Sequence, residues 1–114
     1  MDWAIAEQTV LGDRELLKEI VVAFLEEAIL VRDGIRLALK SNDAGTAGRL
    51  AHTIKAGFRT FGAQDAHDVA FFCEQAAKQM RLDEVAKMLP ELESAISDVC
   101  EELRGFLNTG RADA

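Results

Sequence analysis

Tyrosine is absent from this chain, proline and tryptophan occur once each, and cysteine occurs twice. Each scarcity removes a class of structure. Val, Ile and Thr build no alternating run, so strand patterning is missing and the chain reads as all-helical. No apolar run approaches the roughly 18 residues needed to cross a membrane. The N-terminus has no basic stretch leading into an apolar one, so no signal peptide is expected and a cytoplasmic protein is. Cys73 and Cys100 fall on apolar faces of expected helices, the usual setting of reduced core thiols. With only His52 and His67 to add, they make no zinc site, and no metal or other cofactor is expected on this chain. Positive charge is also short: 13 Lys and Arg stand against 20 Asp and Glu, a net −7. A phosphate backbone needs a basic surface, so nucleic acid is excluded as a partner.

What is present is helical periodicity. At 114 residues the chain is one domain, long enough to bury a core without staples. A short helix is expected over residues 2–9, with Trp3 and Ile5 closing one end of the domain. Gly12 and Asp13 read as a stop and an N-cap. Leu17, Ile20, Val21, Phe24, Ala28, Val31, Ile35, Ala38 and Leu39 then mark one face of a helix reaching Lys40. A turn at residues 41–43 precedes a helix over 44–61, which Gly62 caps. Further helices are expected over 64–80, with Met80 inward, and over 83–107, with Pro90 expected to kink it. Short turns between long helices give an antiparallel, up-down-up-down four-helix bundle preceded by a short helix. The domain is taken as residues 1–108, with 109–114 a flexible tail.

One residue stands out against this pattern. On the helix over 44–61, Ala47, Leu50, Ile54, Phe58 and Phe61 gather on one face at about 100° per residue. His52 projects almost opposite them. Gly45, Gly48, Lys55, Ala56 and Arg59 share its side. Three readings compete: a core histidine, which the face analysis disfavours, an idle surface histidine, and a nucleophile or phosphate carrier. The third needs an exposed nitrogen, a nearby cation, little steric cover and an acidic group to orient the ring. Lys55 is one turn away and Arg59 two turns, where a guanidinium fork can meet an anion. Mid-helix glycines are unfavourable. Gly48, on the exposed side, is read as leaving room for a partner, and Gly57, nearer the core face, as leaving room for a neighbouring helix. The acidic group must come from the next helix. There Phe71 and Phe72, side by side, cannot share one core face: either Phe72 folds against a neighbouring helix and leaves Phe71 half exposed, or they form a hydrophobic docking patch beside His52. His67 is read as a surface residue.

His52, Thr53, Ile54 and Lys55, then Gly62 and Ala63, then Cys73 and Glu74 one helix later, resemble the histidine-containing phosphotransfer (HPt) domain family of two-component phosphorelays. The stretch from Val10 to Ala28 is similar to that family's first long helix, and the resemblance spans about residues 11–107. It implies that His52 is the phosphorylated residue, with Nε2 the acceptor. It implies that Lys55 steadies the phosphoryl group and that Glu74 hydrogen-bonds the other ring nitrogen. Lys78 matches a position that is sometimes basic and near the site. Gly48, Ala56, Arg59, Phe71 and Lys78 are expected at the docking face. The family usually carries Gly and then Ser after the lysine; here stand Ala56 and Gly57, and Ala56 is small enough to preserve docking.

The resemblance further implies a phosphorelay intermediate that takes a phosphoryl group from a receiver-domain aspartate and passes it to another receiver. Its partners would be response-regulator receiver domains and a hybrid sensor histidine kinase, with Mg carried by the receiver. The chain would be a covalent carrier and not an enzyme, and with nothing resembling a nucleotide-binding loop it would not phosphorylate itself from ATP. A monomer is the simplest state. The alternatives are the phosphoacceptor domain of a chemotaxis-type histidine kinase and a non-catalytic helical adaptor.

Overall fold

The computed structural model describes residues 1–110, and the described residues are helices joined by turns. The short helix α1 covers Trp3–Thr9. The long helices are α2 (Arg14–Lys40), α3 (Ala44–Thr60), α4 (Gln64–Lys78) and α5 (Leu82–Thr109). Three starts are fixed by aspartate caps. Asp2, Asp13 and Asp43 accept hydrogen bonds from the backbone N–H groups of Ala4, Leu16 and Thr46, satisfying donors that have no intrahelical partner. α5 runs unbroken through Pro90.

α3 packs on α2 and α4, α5 packs on α4 and α2, and the four long helices close a ring. The expected stripes fill its centre. Leu17, Val21, Phe24, Val31 and Ile35 of α2 meet Ile54 and Phe58 of α3 and Val85, Leu92, Ile96, Leu103 and Phe106 of α5 within one buried cluster. Each such side chain contributes about 1.5–3 kcal/mol by leaving water. Phe24 lies 5.9 Å from Phe58 and 5.3 Å from Phe61, ring centre to ring centre. Trp3 packs on Phe106 at 5.0 Å, so α1 does close one end of the bundle, though Ile5 stays exposed.

Two glycines are explained by close approach. A Cβ on Gly57 would stand 2.6 Å from Phe24 Cε2, so α2 and α3 meet there as the sequence led us to expect. Gly62 has φ of +64°, and a Cβ would stand 2.7 Å from that of Asp2. The Asp2 N–H donates to the Phe61 carbonyl at 2.9 Å, pinning the chain's start across the end of α3.

Three expectations need correction. α4 stops at Lys78, and Met80 is an exposed residue with φ of +61° in the turn, not an inward one. Gly48 is buried on the flank facing α4, where a Cβ would stand 3.4 Å from that of Ala77. The helix of the last segment continues through Thr109, and residues 111–114 of the expected tail lie outside the described residues.

Both cysteines are buried and free. Burial pushes the Cys73 thiol up to about 11.

Candidate functional site

The α3–α4 contact is made of small residues. Ala44, Gly48 and Ala51 are buried on α3, and Ala66, Ala70 and Ala77 on α4. Short side chains let the two helices approach closely, and Glu74 lies in the same α4 stripe as Ala70 and Ala77. It is the one buried charged residue among those described, at 2% exposure.

A buried carboxylate is costly unless its oxygens are bonded, and Glu74 is bonded on both. Oε1 accepts from Lys55 Nζ at 2.7 Å. Oε2 lies 2.7 Å from His52 Nδ1 and 3.4 Å from Lys78 Nζ. Burial pushes the Glu74 carboxyl up, but hydrogen bonds from Lys55, His52 and Lys78 outweigh it and hold the group down to about 2. Glu74 is therefore ionised at neutral pH. An ionised carboxylate only accepts hydrogen bonds, so the proton between it and His52 belongs to Nδ1. In the neutral imidazole this leaves the lone pair on Nε2. The His52 side chain is 62% exposed, and its ring borders two surface grooves. One holds Gly45, Gly48, Arg49, Ala77, Lys78 and Met80; the other holds Ile20, Phe24, Thr53, Ala56, Gly57 and Thr60.

The residues singled out from the sequence divide into two groups. His52, Lys55, Glu74 and Lys78 converge in one bonded set. Ala56 is exposed in the groove between α2 and α3, and Phe71 is half-exposed on α4. Arg59, expected to face an anion on His52, instead has Nη2 3.2 Å from His67 Nε2. Lys55 does not project freely toward the ring's outer nitrogen. Its side chain is only 12% exposed, its ammonium is on Glu74, and Phe71 lies over it, 5.3 Å from Nζ to ring centre. His67, read as a surface residue, is 17% exposed, with Nδ1 3.1 Å from Asp68. The Glu74–Lys78 pair had a legible signal, an i,i+4 spacing on one helix. The reach of Lys55 across to Glu74 had none, because it depends on how closely α3 and α4 approach.

No group of three or more His, Cys, Asp or Glu side chains among the described residues is placed to hold a metal ion, and no helix among them is long and apolar enough to cross a membrane. Neither the curated proteins nor the solved structures gave a match to the chain. The family model of the Hpt domain matches residues 19–106, which run from α2 to the end of the core stripe of α5 and include His52, Lys55 and Glu74. On that match over most of its length, the chain belongs to the Hpt domain family.

Proposed function

We propose that this chain is a phosphorelay intermediate whose His52 takes a phosphoryl group from a receiver-domain aspartate and returns it to another. Membership of the Hpt family supports a histidine phosphotransfer role in two-component signalling. The observation that carries the finer reading is the buried, ionised Glu74 on Nδ1, which leaves a lone pair on an exposed Nε2.

The chemistry follows from that tautomer. Nε2 attacks phosphorus in line, the N–P bond forms, and the bond from phosphorus to the aspartyl oxygen breaks, leaving the receiver's carboxylate. The imidazole gains positive charge while keeping its Nδ1 proton, and the Glu74 carboxylate stabilises it there. A loose phosphoryl-transfer transition state asks mainly for positioning and charge stabilisation. Lys78, an exposed ammonium beside the ring, is placed to meet the phosphoryl oxygens. Lys55 acts as the counter-ion that keeps Glu74 ionised. The receiver brings its own divalent cation, and this chain needs none.

Gly48, Ala56, Arg59, Phe71 and Lys78 remain assigned to the docking face, with a receiver domain seated over the grooves beside His52. Gly48 contributes through the floor of its groove, since its own flank is covered by α4. The reading includes a hybrid sensor histidine kinase upstream, a cytoplasmic monomer and no catalytic turnover of its own. The ring order of the long helices and the short turns between them support the up-down-up-down course.

The test is incubation with a phosphorylated receiver, followed by a search for acid-labile, alkali-stable phosphate. Wild type should be labelled and His52→Gln should not. Label persisting in His52→Gln would sink the assignment. No label with any of several receivers would favour a helical adaptor.

A further inference from the structure

Phe71 stands beside the bonded set around Glu74 but makes no hydrogen bond to it. Its ring is 47% exposed, a poor position for a core residue, yet its surroundings are ordered. Lys55 Nζ lies 5.3 Å from the ring centre and 2.7 Å from Glu74 Oε1. An ammonium placed there has exchanged most of its water for a carboxylate and an aromatic face, whose quadrupole attracts a cation. The plane of the ring is also set. The His67 imidazole lies parallel to it within 5°, ring centres 6.5 Å apart. His67 is clamped at both nitrogens, by Arg59 of α3 at 3.2 Å and by Asp68 of α4 at 3.1 Å. Asp68 in turn accepts from Gln64 at 2.8 Å.

Resting on the phosphoacceptor reading above, we infer that Phe71 is a positioning residue: its ring, set by the clamped His67, holds the Lys55 ammonium on Glu74 and thereby keeps His52 with Nε2 outward. A lysine has a long, flexible stem and a strongly hydrated head. Without the ring face, Lys55 exchanges the interface for water. Glu74 Oε1 then loses its donor, the carboxylate turns about its last torsion, and the imidazole is less firmly held.

The experiment separates positioning from docking by using a phosphodonor with no surface to dock. Phosphoramidate transfers its phosphoryl group to imidazole nitrogen: the new N–P bond forms, the donor's P–N bond breaks, and ammonia leaves. Labelling of His52 by phosphoramidate and by a phosphorylated receiver is compared in wild type, Phe71→Leu, which keeps apolar bulk without a ring face, and Phe71→Trp, which restores one. The ring ¹⁵N shifts of His52, which report which nitrogen carries the proton, are recorded for each. Phe71→Leu should slow labelling about two- to fivefold with both donors and move the ¹⁵N shifts toward a mixture of tautomers, and Phe71→Trp should restore both. Slowing with the receiver alone, with unchanged ¹⁵N shifts, would leave Phe71 with its docking role only and overturn the inference. A wild type unlabelled by either donor would overturn the phosphoacceptor reading instead, and the nitrogen shifts would then decide the role of Phe71 by themselves.

Discussion

His52 and His67 project from adjacent helices, and each has Nδ1 within hydrogen-bond distance of a carboxylate, 2.7 Å from Glu74 and 3.1 Å from Asp68. They differ at the other nitrogen. His52 Nε2 opens to solvent from a largely exposed ring, whereas His67 Nε2 is taken by Arg59 and its side chain is mostly covered. A guanidinium only donates, so the lone pair that would make His67 a nucleophile is already committed. The carboxylates differ as well. Glu74 is buried between two helices and tied to two lysines, while Asp68 is exposed and accepts from the amide of Gln64. One histidine is thus oriented from behind and open in front; the other is held on both sides and serves as packing.

The largest test of this contrast is chemical identity. His52→Gln should abolish acid-labile labelling from a phosphorylated receiver, and His67→Gln should retain most of it; the reverse result would invert the comparison. Next comes the orienting carboxylate. Glu74→Gln removes the charge that fixes the Nδ1 proton and leaves Lys55 poorly paired. We expect transfer to slow at least about tenfold, with chemical denaturation showing a loss of about 3 kcal/mol, in the range for breaking a buried ion pair. Equal transfer rates for variant and wild type would remove Glu74 from the mechanism.

A pH series isolates the same group. The folded-state value of Glu74 is depressed from the ordinary 4.5 to about 2. Its contribution is therefore fully present above pH 4.5 and is lost as pH falls toward 2. Urea midpoints should drop over that window in wild type, and the part of the drop due to this residue should be missing in Glu74→Gln. The smallest effect is expected at Arg59. Arg59→Ala frees His67 Nε2 without uncovering the ring, so acylation by diethyl pyrocarbonate should rise several-fold at His67 yet stay well below that of His52. Equal reactivity of the two rings in wild type would show that the Arg59 contact does not hold.

The sequence carried the helices and the exposure of His52 because both follow from angle about a single helix axis. Val21, Phe24, Ala28 and Ile35 repeat at the helical period and are all buried, and His52 points away from Ile54 and Phe58 as its position on the wheel requires. What escaped lies on flanks, about a quarter-turn from the core. Gly48 and Lys55 sit there on α3. Whether such a position meets water or a neighbour depends on how closely the next helix packs. Here the alanines of α4 let it pack close enough to cover the glycine and bring Glu74 to the lysine. Glu74 itself was legible only through the resemblance to the HPt family, since nothing in the periodicity of α4 marks a buried carboxylate. The clamp on His67 was invisible for the same reason as the Lys55 contact: Arg59 and Asp68 come from different helices.

Cys73 precedes Glu74 on the same turn of α4 and faces the interior. A sulfenic acid or mixed disulfide there would enlarge the side chain next to the carboxylate bonded to His52. Burial holds that thiol up to about 11, so at neutral pH it stays protonated, and the thiolate is the form that oxidants attack. The burial that packs the bundle therefore also keeps the thiol beside Glu74 in the form that oxidants attack least.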